Sequence, residues 1–282
     1  YKIMREVAPK CRFIACNGKK NLLIGLLKLR NEIITGSYDI VHTHQTLSGS
    51  WVRYITRNLK NSKTIHTVHA HHDSFSRLQN FIIGITLKYA DYIVFNSQTT
   101  SNGLKNWQKK AIKKVPTKVI YNGVNVNEIL NADKKKAIEI FKKYRIDENE
   151  YIFGLVGRFV KVKNHENVLK AFEKFLKKAP DNKYRLILVG DGPERDKIRK
   201  MVESSKSLKS HVILTGLIDR GTVYSLLHKI DTFIMASFHE GFCNALVEAK
   251  VAGVQTIISR IDVFMELYKN EKMITFNPYN ID

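Results

Sequence analysis

Short apolar runs alternate with amphipathic stretches along the whole chain. In the first half, Asp39–Val41, Thr64–Val68, Tyr92–Phe95 and Lys118–Tyr121 read as strands, and Leu47–Leu59 and Leu78–Ala90 as helices. After Lys134 the rhythm restarts, with Ile152–Val156, Arg185–Val189, Val212–Leu214, Thr232–Met235 and Thr256–Ile258 as strands. The clearest helix is Asn167–Ala179. Its Val168, Leu169, Phe172, Phe175, Leu176 and Ala179 recur at helical spacing, and Pro180 ends it. β-branched strands alternating with helices predict parallel sheets covered on both faces. The polar, lysine-rich stretch from Asn125 to Glu150 marks a boundary. The predicted organisation is a first domain over 1–130, a linker over 131–150 and a second domain over 151–282.

In open parallel sheets, ligands bind at the carboxyl ends of the strands. Polar and glycine residues gather there in this chain: His42-Thr43-His44, His69, Gly157-Arg158, Gly190-Asp191-Gly192, Thr215-Gly216 and Ser237. Two such sheets in tandem predict a cleft between domains.

Composition narrows the class. At 282 residues and 44% hydrophobic there is material for two α/β cores. The longest apolar run, Phe81–Leu87, is far short of the ~18 residues a membrane-spanning helix needs. Cys11, Cys16 and Cys243 form no CxxC and no zinc-spaced cluster, so they read as reduced thiols. The net charge is +21, unevenly spread. Residues 1–130 carry 20 basic and 6 acidic side chains, and residues 131–282 carry 27 and 20. The first half therefore has the stronger attraction for polyanions such as anionic lipid, phosphorylated substrate or nucleic acid.

The most informative segment is Ser237-Phe-His-Glu-Gly-Phe-Cys-Asn-Ala-Leu-Val-Glu-Ala-Lys-Val-Ala-Gly253. Glu240 sits in a glycine-containing loop after a strand. Glu248 falls inside a helix that starts near Asn244 and ends at Gly253. Free N–H groups at that helix start, reached through Gly241, Phe242, Cys243 and Asn244, suit a phosphate. A carboxylate one turn inside suits ribose hydroxyls, and one in the preceding loop lies near a transferred group.

This segment resembles the E-x7-E signature of glycosyltransferase family 4. Val156-Gly-Arg158 with Lys163-Asn164 resembles the family's G-R-x4-K-G/N element, and Leu188-Val-Gly-Asp-Gly-Pro193 its V-G-D/E-G-P turn. Val119-Ile-Tyr-Asn-Gly-Val124 resembles its I-x-N-G-V segment. Ile40-Val-His-Thr-His44 and Thr67-Val-His69 resemble its V-H-x-H and V-H elements. The resemblance covers nearly the whole chain. It implies the α/β GT-B fold, two Rossmann-like domains whose parallel sheets face across a cleft.

It further implies a retaining transferase moving a sugar from a nucleotide-diphosphate donor, UDP- or GDP-linked, to a glycan or lipid-linked acceptor. The implied setting is cell-surface polysaccharide synthesis, in the cytoplasm, peripheral to an anionic membrane on the inner face of the plasma membrane. Glu240 and His69 would flank the transferred sugar. Arg158 and Lys163 would neutralise the diphosphate. Glu248 would hold the ribose, with Gly157, Gly190, Gly216 and Leu217 near the nucleotide. No Asp-x-Asp metal-holding spacing occurs, so no metal and no other cofactor is expected. The tract of His66, His69, His71 and His72 is not read as a metal site, since no acidic or cysteine partner is placed to complete one. The resemblance also implies that the chain lacks the family's opening strand and glycine-rich loop and its last helices. Two other readings stand beside this one. A GT-B sugar-nucleotide epimerase or hydrolase would need no acceptor. A basic nucleic-acid-binding protein would fit the charge, but no zinc finger, RNA-binding sheet motif or basic heptad is present, so no nucleic-acid partner is expected.

Overall fold

The structure, a computed structural model, describes residues 11, 14, 21–44, 46–179, 183–269 and 271–280. Cys16 and Pro180 lie outside them. The chain divides into two compact units, Tyr1–Phe95 with Leu104–Val119, and Asn96–Gly103 with Ile120–Asp282.

The described part of the first unit holds a parallel sheet of β1 (Ile40–Thr43), β2 (Lys63–Val68), β3 (Tyr92–Phe95) and β4 (Thr117–Val119), in the order β1-β2-β3-β4. Its core gathers Ile83, Leu87, Ala90, Ile93, Phe95 and Ile112. The helix Arg77–Leu87 starts at a capping box. Ser76 accepts from the Gln79 N–H, and the Gln79 side chain accepts from the Ser76 N–H. The helix Thr46–Thr56 is bolted to it by Arg53, which is wholly buried. Arg53 Nε donates to the Thr86 carbonyl at 3.2 Å, and Nη2 to Thr86 Oγ1 at 2.9 Å and Ser50 Oγ at 3.0 Å.

The second unit holds β5 (Tyr151–Val156), β6 (Tyr184–Val189), β7 (Val212–Gly216), β8 (Thr232–Met235), β9 (Gln255–Ser259) and β10 (Ile274–Phe276). All pair in parallel, in the order β10-β9-β8-β5-β6-β7. Separate apolar clusters pack against this sheet. One includes Ile152, Ile187, Phe233, Leu246 and Phe264; the other includes Leu155, Leu169, Phe172, Leu186 and Leu188. The periodic helix runs His165–Lys178 and buries Val168, Leu169, Phe172 and Leu176. Residues 131–150, read from the sequence as a linker, carry the helix Lys134–Tyr144. It buries Ala137, Ile140 and Phe141, and the last two join the second unit's core. Five lysines on this helix dominate its composition and hide that apolar face.

The loops after β5 and β6 approach so closely that glycine is required. Gly190 has φ +139°, and a Cβ there would sit 2.1 Å from the Gly157 carbonyl oxygen. Gly190→Ala is therefore expected to destabilise the second unit by roughly 2–4 kcal/mol, through left-handed strain plus the clash. Urea unfolding measures the loss. A loss near zero would mean the two loops separate freely.

Candidate functional site

The strand order of the second sheet reverses at β5. From there it runs through β6 to β7 on one side and through β8 and β9 to β10 on the other. Crossovers leave such a switch point in opposite directions and open a crevice at the carboxyl ends of the two central strands. β5 runs into Gly157-Arg158 and the turn Lys161–Lys163. β8 runs into Ser237 and the loop to Cys243. The loops are stitched together where the Phe238 N–H donates to the Val162 carbonyl at 2.9 Å.

Beside that stitch, Lys163 Nζ lies 2.6 Å from Glu240 Oε1, each side chain only 15% exposed. Buried Ser237 donates its hydroxyl to the same carboxylate oxygen at 2.7 Å. Burial works to lower the Lys163 pKa, but Cys243 and Glu240 outweigh it and hold the ammonium above its ordinary value. Burial pushes the Cys243 thiol up to about 11. At neutral pH the thiol is uncharged, so Glu240 supplies the attraction. The pair is an ion pair held at the mouth of the switch point.

The helix Asn244–Val251 begins at Cys243, whose φ of +94° turns the chain sharply and which provides no side-chain cap. N–H groups at a helix start of this kind suit an anion. The loop before it is braced from behind. The Gly241 carbonyl accepts from Ser97 Oγ at 2.7 Å and Thr100 Oγ1 at 3.1 Å. Ser97 also caps the helix Gln98–Asn102. Asn244 Oδ1 accepts from Asn122 Nδ2 at 3.2 Å. Buried Phe242 stands 6.1 Å from Tyr121, ring to ring.

Glu248, one turn further on, is 8% exposed. Its Oε1 accepts from Arg220 Nη2 at 2.7 Å and from the Tyr224 hydroxyl at 3.3 Å. Arg220 Nε also bonds the Tyr224 hydroxyl. The hydrogen bond to Glu248 leads the effects that raise the Arg220 pKa. The sequence reading missed Arg220 and Tyr224. Their signal was faint: an aspartate cap, Asp219, followed after β7 by an arginine and a tyrosine one turn apart.

A cavity of about 650 Å³ adjoins, lined by Gly157, Arg158, Gly190, Leu217, Ile218 and Val223 among others. Arg158 is exposed and forms no ion pair among the described residues. A Cβ on Gly157 would lie in ordinary contact, 3.6 Å, with Lys163 Cδ and Cε, so the lysine stem runs beside the β5 loop. Gly216 takes φ +70° and turns β7 into the exposed Leu217. The second unit thus gathers Glu240, Lys163, Glu248, Arg158 and the predicted glycines around the carboxyl end of one sheet.

His69 belongs to the first unit, with His42 and His44 at the carboxyl ends of β1 and β2. His44 Nδ1 lies 2.9 Å from His69 Nε2, and the His42 and His44 rings are 4.1 Å apart. His42 Nε2 pairs with Thr67 Oγ1 at 2.8 Å. Burial first, then the neighbouring His44, lowers the pKa of His69; burial, His44 and His69 lower that of His42. Asp73, a partner the sequence reading did not count, pairs with both His71 and His72. Among the described residues, no group of three or more His, Cys, Asp or Glu side chains is arranged to hold a metal ion.

Residues 136–282 match the family described as Glycosyl transferases group 1, and residues 5–128 match Glycosyltransferase Family 4. The chain belongs to the group 1 glycosyl transferases. It has the GT-B fold. Among relatives of this family is an Escherichia coli UDP-Gal:alpha-D-GlcNAc-diphosphoundecaprenol alpha-1,3-galactosyltransferase. It is 28% identical over an alignment of 273 positions that covers 94% of this chain and 68% of the relative. The putative glycosyltransferase EpsF of Bacillus subtilis is 26% identical over an alignment of 259 positions that covers 88% of this chain and 64% of the relative. The chain spans between 49% and 68% of the length of the first relatives it matches. Among solved structures, Anabaena HepE in complex with UDP-glucose superposes with a TM-score of 0.75 at 19% identity, over 91% of this chain and 69% of that one. Sucrose-phosphate synthase of Thermosynechococcus elongatus gives 0.75 at 22% identity, over 93% and 67%. These likenesses bear on the fold. No helix among the described residues is long and apolar enough to cross a membrane.

Proposed function

We propose that the protein transfers a sugar, with retention of anomeric configuration, from a nucleotide-diphosphate sugar to a lipid-linked glycan acceptor. The observation that carries this reading is the Lys163–Glu240 ion pair at the switch point, with an uncapped helix start and Glu248 close by. A nucleotide diphosphate needs three things there: a cation and free N–H groups for its phosphates, a carboxylate for its ribose, and a cavity for its base. The second unit supplies each. Arg158 and Lys163 meet the negative charge that grows on the diphosphate as the glycosidic bond breaks. The helix Asn244–Val251 offers its N–H groups to the same phosphates. Glu248 accepts from ribose hydroxyls, its angle fixed by Arg220 and Tyr224. Gly190 and Leu217 wall the base.

Glu240 orients the sugar, and His69 polarises its hydroxyls; both roles come from the resemblance. In the transfer step the bond from the anomeric carbon to the diphosphate oxygen breaks. The acceptor hydroxyl oxygen bonds the same face of that carbon, and its proton passes to the departing phosphate. The relative that uses a diphosphoundecaprenol-linked sugar supports a lipid-carried acceptor. The net charge of +21 supports work at the anionic inner face of the plasma membrane.

The test is nucleotide release from UDP- and GDP-sugars with and without a lipid-diphosphate-linked sugar, followed by analysis of the linkage. Acceptor-dependent release with a retained linkage is expected. Release or isomerisation that ignores the acceptor would replace this reading with an epimerase or hydrolase. In the same assay Arg158→Ala is expected to lower turnover roughly 10²-fold, the usual scale for one lost electrostatic donor. Its melting temperature should hold, because Arg158 is exposed. Unchanged turnover would remove Arg158 from the mechanism.

A further inference from the structure

The helix Arg77–Leu87 turns Asn80, Ile83, Gly84, Thr86 and Leu87 inward. Its outer face carries Leu78, Phe81 and Ile85, which are 67%, 54% and 40% exposed. Their spacing of three and four residues aligns them in one stripe. Trp107, on the helix Asn106–Ala111 and 40% exposed, widens it. Its ring lies 6.1 Å from Phe81. A Cβ on Gly84 would fall 2.2 Å from the indole, so the missing side chain lets the edge of Trp107 reach the helix Arg77–Leu87. Single exposed apolar residues are ordinary, but a contiguous stripe with two aromatic rings marks a contact surface.

The charges around the stripe select its partner. Across residues 74–95 and 104–119 the basic residues are Arg77, Lys88, Lys105, Lys109, Lys110, Lys113, Lys114 and Lys118, and the one acid is Asp91. Asp91 is already paired with Lys63, at 3.2 Å. Lys88 follows Ile85 by three residues and continues the stripe. Lys110 follows Trp107 by three on its own helix. Tryptophan and phenylalanine suit the boundary between headgroups and acyl chains, while long lysine stems keep their ammonium groups among lipid phosphates.

We infer that Leu78, Phe81, Ile85 and Trp107, rimmed by Arg77, Lys88, Lys109 and Lys110, form a docking face for an anionic bilayer. This deepens the reading of a membrane-carried acceptor and rests on it only for its purpose, since such a face holds the enzyme where that acceptor is.

The experiment is co-sedimentation of the full chain with phosphatidylcholine vesicles, with and without phosphatidylglycerol, across a salt series. Binding is expected to be at least about tenfold stronger to the anionic vesicles and to fall with salt. Phe81→Glu is expected to weaken it roughly tenfold or more at unchanged melting temperature, while Ile138→Glu, the same charge change on the other unit, leaves it intact. Leu78→Glu, at the most exposed position, replaces Phe81→Glu if that variant unfolds. Three results would overturn the inference: no preference for anionic vesicles, undiminished binding by both stripe variants, or a stripe variant that dissolves a self-association without touching vesicle binding. Because the readout is binding, an enzyme inert toward every acceptor would still settle it, and loss of the docking face would leave the transfer reading standing.

Discussion

Lys163→Ala is expected to lower turnover by roughly two to three orders of magnitude and to cost the fold about 3 kcal/mol. The two effects share one cause. Lys163 is the buried cation at the crevice and also the counter-ion of Glu240. Without it, the diphosphate of the proposed donor loses a buried positive charge at the crevice. Among the described residues, Glu240, mostly shielded from water, keeps the Ser237 hydroxyl. Breaking a shielded pair from one side is worse than removing both partners, because the remaining carboxylate is left uncompensated. Lys163→Met with Glu240→Gln should therefore recover most of the stability and none of the turnover. Nucleotide release under saturating donor reports the first effect and urea unfolding the second. Turnover within threefold of the parent in Lys163→Ala would show that the diphosphate is stabilised elsewhere.

Acidification is expected to weaken both units, each through one buried histidine. His165, in the second unit, and His66, in the first, are each 2% exposed. Burial, and secondarily Lys163, pushes the His165 pKa down to about 4. Burial, with Arg53 next, pushes His66 down to about 2. The unfolded chain takes up protons near the ordinary value of 6.5, while the folded chain refuses them. Stability is therefore complete above pH 6.5 and falls as pH drops through the interval down to each folded value. Between pH 6.5 and 4 each histidine accounts for a loss on the order of 3 kcal/mol. His165 has finished by about pH 4, whereas His66 continues toward about 2. Urea unfolding at stepped pH should give a slope that His165→Met flattens in the second unit and His66→Asn in the first. Equal stability at pH 7 and pH 4.5 would mean that these imidazoles are reached by water.

The sequence was most legible where backbone geometry and chemistry coincide. Lys163 and Glu240 follow strands, and Gly190 and Gly216 take left-handed turns that favour glycine. Those positions are visible because each is improbable elsewhere. Arg220 was not legible: an arginine on an amphipathic helix looks like any solvated charge, and its partner Glu248 stands 28 residues away. β10 is only three residues long, too short to show a period. The helix Lys134–Tyr144 was hidden by its own lysines. The run Phe81–Leu87 was seen as apolar, but which side chains face outward depends on where the core lies. Only packing against Ile93 and Phe95 decides that.

On the proposed function, the reversal of strand order at β5 separates two tasks along the chain. Charge is handled by the ends of β5 and β8, where Lys163 and Glu240 meet. The cavity proposed for the base is walled by the ends of β6 and β7, through Gly190 and Leu217. Because different strands carry them, a lineage can re-tune which nucleotide it accepts by exchanging the tip after β7 while the leaving-group machinery stays untouched. Diversification of donors within such a scaffold therefore needs few coordinated changes, and Leu217 and Ile218 are where a designer should begin.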